Sequence, residues 1–449
     1  MRFLPLGCVF TLALVACTPT VPGSSLQPNA IPFSANHINS AAKIQHAVII
    51  IQENRSFDNF FAGYPGAVSA LKGPGHDGQI HSLKTISFAR VDLNHLYSAA
   101  ITEYDHGKMD GFDLVPGAPP FGGPLLQYSR VERSLIAPYW NMANQYVLAD
   151  HMFPTEWGPS YTAHINLLAS TANVDKTHAL VNLALYVNSV VDGSCDDPKG
   201  TVTSLLDDKK NVLHGMGPYP CFTFPTLVDS LDARHVSWKY YGSEWPGGGA
   251  LWNTPASFKS IRYGADWSNN VTFNDTQVLT DAANGTLPAV SWVIPTMPNS
   301  DHPGAGSDTG PSWVASVVNA IGNGPDWKST VIFVVWDDWG GWYDNVAPPQ
   351  QDFRGLAFRV PCLIISPYAK THYVSHTPYE FGSIIKTIEQ LFSLPAIQAP
   401  LATDARANSM FDSFDFSQAP RTFTPFAAKY SEKYFRTQPR STAPVDDDF

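Results

Sequence analysis

The chain has 449 residues, of which 44% are hydrophobic and 15% are charged. This composition suits a globular protein with a large core and excludes a disordered or fibrous one. Its formal net charge is -11 without any block of Lys and Arg, which argues against a protein that binds nucleic acid through the phosphates. Since no repeat or interior linker interrupts the chain, we expect a single domain over residues 41–449.

The first residues are typical of an export signal of the lipoprotein type. Arg2 precedes a short apolar run, and residues 14–17 resemble a bacterial lipobox that ends in Cys17. We predict a signal peptide over residues 1–17, a flexible tether over residues 18–40, and a membrane tether through lipidated Cys17. A plain secretory signal is the alternative, and both predict export, either to the bacterial cell envelope or as a secreted protein.

The first predicted strand, residues 47–52, is a short run rich in β-branched residues and is followed directly by Glu53 and Asn54. Carboxylate and amide oxygens at the end of a buried strand are suitable ligands for a divalent cation. The alternative is that Asn54 caps a helix and Glu53 forms a surface ion pair. His95 and His106 follow, and each is a candidate for the site or an ordinary surface histidine.

A serine begins the next informative segment. Pro159 suits the first position of a helix whose periodicity continues through residues 165–170, which places Ser160 in the first turn. Free backbone N–H groups and the helix dipole favour an anion there, so the hydroxyl could face a phosphate. The alternative is that Ser160 only caps the helix, which is the more frequent role of a serine at this position when it is considered alone. A serine hydroxyl is also a weak nucleophile until a base or a metal activates it. His164, one turn later, is expected to pack or to orient.

The cysteines of the mature chain agree with export. Cys195 and Cys221 both lie in loop sequence rich in Gly, Pro and Asp, and we expect a disulfide between them. Cys362 lies in an apolar run and is predicted to be a buried thiol of a strand. A zinc site built from thiolates is therefore not expected.

The second half of the chain repeats the pattern of strand, polar residues and helix. A strand over residues 290–294 precedes a loop with His302, and a helix is predicted over residues 313–321. The strand over residues 331–336 is followed by Asp337 and Asp338, two adjacent carboxylates that a cation would hold together. An acidic surface turn is the alternative.

A last strand over residues 362–366 and a helix over residues 381–392 complete the pattern. Strands alternating with helices predict an α/β fold with a mostly parallel central sheet flanked by helices, with long loop insertions. Ligands of such sheets bind beyond the carboxyl ends of the strands, where the polar residues described above are expected.

Taken together, these motifs resemble a family of bacterial phosphoesterases of the alkaline phosphatase superfamily, which includes non-specific phospholipases C and an acid phosphatase. The stretches that carry the resemblance occur in the order of the family and extend from about residue 44 to about residue 425. They are residues 46–58, 107–110, 158–160, 302–303, 336–344, 359–361 and 365–368.

The resemblance implies an alkaline phosphatase-like sheet, a phosphoserine intermediate on Ser160 and a divalent metal ion held by four residues: Glu53, Asn54, Asp337 and Asp338. It also implies that His302 contacts the leaving group or the phosphate, and it favours His95 over His106 as the other catalytic histidine. The substrate would be a phosphomonoester or a phospholipid head group. An oxygen-rich shell does not distinguish calcium, magnesium, manganese and iron.

Two departures from the family pattern concern substrate contacts. Asn345 stands where many members have His, and no histidine pair occurs near residues 238–241.

Two other functions compete with a phosphoesterase. A serine carboxylesterase would use Ser160 with a histidine base, although the Gly-x-Ser-x-Gly motif is absent from the sequence. A glycan-binding surface lipoprotein would use the Trp-rich and acidic loops without catalysis.

Overall fold

The computed structural model describes residues 43–88, 91–115, 125–187, 189–243, 250–439 and 441. The predicted signal peptide, the tether and Cys17 lie outside the described residues, and the single-domain boundaries stay a prediction. Within the described ranges, no helix combines the length and the apolar character needed to cross a bilayer.

The strands of the described chain vary from two to nine residues. In chain order they are β1 (His46–Gln52), β2 (Lys72–Pro74), β3 (Ile80–Ser82), β4 (Lys84–Ile86), β5 (Ser129–Val131), β6 (Val147–Phe153), β7 (His178–Tyr186), β8 (Ser189–Val190), β9 (Val202–Asp207), β10 (Val212–Leu213), β11 (Trp238–Tyr241), β12 (Val271–Thr272), β13 (Val290–Val293), β14 (Thr330–Trp336), β15 (Val360–Ile365), β16 (Tyr373–Ser375) and β17 (Tyr379–Glu380).

The α-helices lie between these strands. They are α1 (Phe57–Phe61), α2 (Tyr97–Tyr104), α3 (Ala137–Gln145), α4 (Ser160–Ala169), α5 (Leu227–Ala233), α6 (Lys259–Arg262), α7 (Asp266–Asn269), α8 (Gln277–Asn284), α9 (Gly310–Asn323), α10 (Phe381–Phe392) and α11 (Glu432–Thr437).

A nine-stranded sheet organises the fold, with the order β12-β11-β13-β1-β14-β15-β6-β16 and with β17 also paired to β6. Most neighbouring pairs are parallel, and β15 is the strand that runs antiparallel to its neighbours β14 and β6. A separate antiparallel sheet has the order β10-β9-β7-β8. The predicted α/β architecture with a mostly parallel sheet is therefore confirmed.

The central strands are buried on both faces, as their continuous apolar runs predict. In β14 every residue is buried, and β1 is buried from its second residue onward. The two strands pair in parallel up to Gln52 and Trp336, so the residues that follow them emerge at the same edge of the sheet. β13 and β6 run in the same direction, so the loops that lead to His302 and Ser160 start at this edge too.

The predicted elements are present with small shifts at their ends. Helix α10 has the predicted bounds, and α9 is longer than the predicted residues 313–321. The helix of the serine motif begins at Ser160, not at Pro159, because Pro159 has extended backbone angles (φ -76°, ψ 179°) and is the residue that precedes the first turn. Ser160 is still in the first turn, as predicted. Cys362 is a buried thiol in β15, and burial raises its pKa.

The expected disulfide between Cys195 and Cys221 is confirmed. It closes a loop of 26 residues in sequence separation, which contains β9 and β10. The backbone N–H of Cys195 donates to the Ala256 carbonyl, and that of Phe222 donates to the Ser257 carbonyl. The bridge therefore joins two segments that both contact residues 254–257.

We predict that replacing both Cys195 and Cys221 by Ser lowers the free energy of unfolding by about 3 kcal/mol, because the unfolded chain regains the entropy of an open loop. Urea unfolding of the two proteins measures the difference. A reducing agent should lower the stability of the wild type and leave the double variant unchanged. Equal stability of the oxidised wild type and the variant would contradict the prediction.

Candidate active site

The hydroxyl of Ser160 is surrounded by oxygen atoms of three side chains. Its Oγ is 3.2 Å from Glu53 Oε2, 3.4 Å from Asp338 Oδ2 and 3.5 Å from Asn54 Oδ1. All of these side chains are fully buried. The residues therefore come together from three distant parts of the chain, at the end of β1, at the end of β14 and at the start of α4.

Glu53 contacts Ser160 with one carboxylate oxygen and a histidine with the other. His164 Nε2 is 2.8 Å from Glu53 Oε1 and 4.0 Å from Asp337 Oδ2. Burial lowers the pKa of His164 to about 4, and the Asp337 charge opposes this shift in part. The imidazole is therefore neutral at neutral pH, and its Nε2–H donates to the Glu53 carboxylate.

Asn54 is oriented by a second histidine. His95 Nδ1 lies 2.7 Å from the Leu93 carbonyl, so Nδ1 carries the proton and Nε2 is the acceptor. The Asn54 Nδ2 group, 2.9 Å away, donates to this Nε2. As a consequence, Asn54 Oδ1 faces Ser160.

The Asp337–Asp338 pair is held by backbone groups at the end of β14. Asp337 Oδ1 accepts from the Asn54 N–H at 3.0 Å, and Asp338 Oδ1 accepts from the Gly340 N–H at 2.7 Å. The other oxygen of Asp338 faces Ser160, and His95 Nε2 is 3.9 Å from it. Each aspartate therefore uses one oxygen for the backbone and directs the other toward the site.

Two glycines allow the chain after Asp338 to pass close to Asn54 and Leu93. Gly340 has φ +61°, and a Cβ on it would lie 2.3 Å from the Asn54 carbonyl oxygen. Gly341 has φ +72°, and its Cβ would lie 2.6 Å from the Leu93 Cβ. Both the positive φ and the close approach require glycine here.

The loop that carries His302 is fixed by a buried network. The Arg55 guanidinium donates to the Asp301 carbonyl through Nε at 2.9 Å and Nη2 at 2.7 Å, and the Tyr139 hydroxyl donates to the Asp301 carboxylate at 2.5 Å. Burial raises the pKa of Asp301 to about 7 and lowers the pKa of Arg55 to about 10. The His302 ring lies 6.5 Å from the His95 ring, between centroids.

Known proteins of similar sequence align with most of this chain. Phospholipase C A of Mycobacterium tuberculosis is 25% identical over 445 residues, which cover 85% of this chain and 79% of that protein. The non-hemolytic phospholipase C of Pseudomonas aeruginosa is 25% identical over 449 residues, which cover 86% of this chain and 59% of that protein. The model of the phosphoesterase family matches residues 44–395. The chain belongs to the phosphoesterase family.

This phosphoesterase is therefore a hydrolase that acts on phosphoric ester bonds, as the sequence resemblance implied. Among solved structures, a protein of the alkaline phosphatase superfamily from Vibrio parahaemolyticus is similar at a TM-score of 0.39. The two share 11% sequence identity over 82% of this chain and 73% of that chain.

The donor set of the phosphoesterase fits a divalent metal ion. Glu53, His164 and Asp337 each offer a ligand atom within 4.8 Å of the others, and all three are buried. Asp337 Oδ2 has no hydrogen-bond partner among the described residues, although it is buried. A buried carboxylate oxygen without a donor is costly, and a cation would satisfy it.

The structure brings together six of the seven residues predicted for the site, and the seventh lies nearby. Contacts around the Ser160 hydroxyl connect Glu53, Asn54, His95, Ser160, Asp337 and Asp338. His302 approaches this group through its ring contact with His95. His106, by contrast, is exposed in the turn after α2.

Asn345, which stands where many members of the family have His, contacts Arg359 and Asp58. Its Oδ1 accepts from Arg359 Nη2 at 2.8 Å, and its backbone N–H donates to Asp58 Oδ2 at 3.0 Å. Asn345 therefore belongs to a buried ion-pair network around Arg359 and Asp344.

Sequence reasoning missed Trp252, which contacts two histidines of the site. Its ring lies 6.3 Å from the His164 ring at an interplanar angle of 7°, and 6.2 Å from the His302 ring. Trp252 stands in a short 3-10 helix between loops, where no periodic pattern marks it. The place of His164 beside the site could be found from the sequence, because residues 160 and 164 are one helical turn apart.

We predict that Gly340→Ala lowers the rate of phosphate-ester hydrolysis at least tenfold, because the new Cβ displaces the Asn54 backbone. Gly78→Ala is the matched control, since Gly78 also has a positive φ (+77°) but its Cβ would meet nothing within 4 Å. Steady-state kinetics and thermal melting compare the variants. Equal activity of the two variants would contradict the prediction.

Proposed function

We propose that this phosphoesterase hydrolyses its substrates in two steps through a phosphoserine on Ser160, with a divalent metal ion held by Glu53, Asn54, Asp337 and Asp338. The observation that carries the proposal is the position of Ser160 Oγ, 3.2 to 3.5 Å from oxygen atoms of three of these residues. Three buried oxygens around a hydroxyl are a poor environment for a serine that only caps a helix. They suit a nucleophile beside a cation.

The metal ion, when bound, would lower the pKa of the serine hydroxyl and balance charge on the phosphoryl oxygens. Ser160 Oγ would attack phosphorus, and the bond from phosphorus to the leaving oxygen would break. Water would then hydrolyse the intermediate on Ser160, which releases phosphate from a phosphomonoester and the phosphorylated head group from a phospholipid. The position of Ser160 in the first turn of α4 also directs the first N–H groups of the helix toward the anion.

His302 is proposed to protonate the leaving oxygen. Its Nδ1 accepts from the Gly304 N–H at 3.1 Å, so in the neutral ring the proton is on Nε2. The ring is buried beside His95 and Trp252. With Nδ1 used as an acceptor, Nε2 is the ring atom that would carry the proton and transfer it to the leaving oxygen.

His95 is proposed to act by orienting Asn54. We expected it among the catalytic residues, and its hydrogen bond with Asn54 Nδ2 supports a positioning role. With the amide nitrogen turned toward His95, the amide oxygen faces the Ser160 hydroxyl and the proposed ion.

The substrate is proposed to be a phosphomonoester or the head group of a phospholipid. Relatives named phospholipase C favour a phosphodiester, and an acid phosphatase activity is the other candidate. Turnover of phosphatidylcholine, p-nitrophenyl phosphate and p-nitrophenylphosphorylcholine separates the two. The serine carboxylesterase alternative lacks support, because the contacts of Ser160 Oγ are with carboxylate and amide oxygens and His164 Nε2 is bonded to Glu53.

Export, a lipid tether at Cys17 and a location in the cell envelope remain proposals from the sequence. Metabolic labelling with a fatty acid, compared between the wild type and Cys17→Ser, tests the tether.

We predict that Ser160→Ala lowers turnover of p-nitrophenyl phosphate by at least about a thousandfold, because the covalent step needs the hydroxyl. Mass spectrometry after an acid quench should detect a phosphoryl group on Ser160 in the wild type. Ser316→Ala is the control, because this buried serine bonds within its own helix. An active Ser160→Ala variant that retains its fold would refute the nucleophile.

We predict that a chelator abolishes hydrolysis and that added divalent metal restores it. We also predict that Asp338→Asn weakens Mn²⁺ binding at least tenfold. The substitution removes a charge from the oxygen shell without changing its shape. Calorimetric titration with Mn²⁺ measures the affinity. Asp281→Asn is the control, because Asp281 pairs with Lys239 and Tyr241 outside the site. Unchanged Mn²⁺ affinity in Asp338→Asn would exclude this shell.

A further inference from the structure

We propose that His164 is a positioning residue that holds the Glu53 carboxylate in the orientation needed by the metal ion and by Ser160. This inference rests on the metal site of the proposed function, and it concerns a residue outside the four proposed ligands. His164 would act through Glu53 without touching the substrate.

The two oxygens of Glu53 have different partners. Oε1 is 2.8 Å from His164 Nε2, and Oε2 is 3.2 Å from Ser160 Oγ. A carboxylate can rotate about its last bond, and such terminal torsions are broad. A hydrogen bond to one oxygen therefore fixes where the other oxygen lies.

Both partners of Glu53 come from helix α4. Residues 160 and 164 are one turn apart, so their side chains project from the same face of the helix. The same rigid element thus carries the nucleophile and the group that orients a ligand of the nucleophile's metal ion. A shift of the helix would move Ser160 and His164 together, so their positions relative to each other would not change.

The plane of the imidazole is restrained by Trp252. The two rings are almost parallel, at 7°, with centroids 6.3 Å apart. The other neighbour of this tryptophan is the His302 ring, at 6.2 Å. Because His164 is itself fully buried, its ring has little room to turn away from Glu53.

His164 offers a nitrogen within 4.8 Å of ligand atoms of Glu53 and Asp337, but its hydrogen bond to Glu53 favours orientation over direct metal ligation. Its Nε2 faces the Glu53 oxygen that points away from Ser160, and it is 4.0 Å from the nearest oxygen of Asp337. The oxygens of Asn54 and Asp338 gather instead on the Ser160 side. Residues that orient metal ligands typically change the metal affinity of a site by 10- to 100-fold when they are replaced.

The test compares His164→Leu with His164→Gln in the full chain. Leu removes the donor, whereas Gln can place an N–H group close to the position of the histidine Nε2. Calorimetric titration with Mn²⁺ should show 10- to 100-fold weaker binding for Leu and binding within about threefold of the wild type for Gln. His46→Gln is the matched control, because the His46 ring bonds the Pro288 carbonyl at the other end of β1.

Three outcomes would overturn the inference. One is unchanged Mn²⁺ affinity in His164→Leu, and another is equal loss in the Leu and Gln variants. The third is a directly coordinated nitrogen, seen as a ¹⁴N coupling in the pulsed electron paramagnetic resonance spectrum of the Mn²⁺ protein that disappears in both variants. If His164→Leu does not fold, His164→Asn replaces it, since the shorter amide does not reach Glu53 and should show the same weakened binding.

The proposed metal site and this inference fail in distinguishable ways. If Asp338→Asn leaves Mn²⁺ binding unchanged, the site itself is wrong. If Asp338→Asn weakens binding and His164→Leu does not, the site stands and only the role of His164 is wrong.

Discussion

The parallel pairing of β1 with β14 is the constraint on which the site depends. The register ends with Gln52 beside Trp336, so Glu53 and Asn54 emerge next to Asp337 and Asp338. Since both strands are buried, the acids are also buried, and a one-residue change in register would direct each side chain to the opposite face. The extensive apolar pairing of the two strands therefore holds three carboxylates close together, although their negative charges repel one another.

Buried carboxylates that face one another are costly unless donors or a cation compensate for the lost hydration. Backbone N–H groups compensate in part, through Asn54 for Asp337 and through Gly340 for Asp338. The second oxygen of Asp338 faces Ser160. The second oxygen of Asp337, Oδ2, has no hydrogen-bond partner in the described part of the chain. A site of this kind is organised for a ligand at the expense of stability, which is a common property of active sites.

Histidines orient the two polar side chains that follow β1. His164 bonds Glu53, His95 bonds Asn54, and each directs an oxygen of its partner toward Ser160. Aromatic rings pack around these histidines, with Trp252 beside His164 and Trp339 beside His95. The aromatic residues around the site thus act mainly by holding polar groups in place, and the buried pair of Arg359 with Asp344 fixes the neighbouring loop in the same manner.

The amino-acid sequence by itself determined the class of fold and predicted most of the residues that the structure brings together around Ser160. Apolar runs of five to seven residues cannot be solvated, so they predict buried strands, and polar residues directly after them must lie at the sheet edge. The placement of Ser160 in the first turn of a helix and the buried thiol of Cys362 follow from equally local rules. The disulfide was predictable because Cys195 and Cys221 both lie in loop sequence rich in Gly, Pro and Asp, whereas Cys362 lies in an apolar run.

Only the tertiary structure decided which atoms meet. The contact between His95 and Asn54 and the contact between His164 and Glu53 join side chains that are 41 and 111 residues apart in the chain. Trp252 belongs to a segment between loops, without periodicity. The choice between His95 and His106 was likewise decided by burial: one ring is enclosed beside Asn54 and the other is exposed. Strand periodicity is a local property of the chain, whereas hydrogen-bond partners across loops are set by packing in three dimensions.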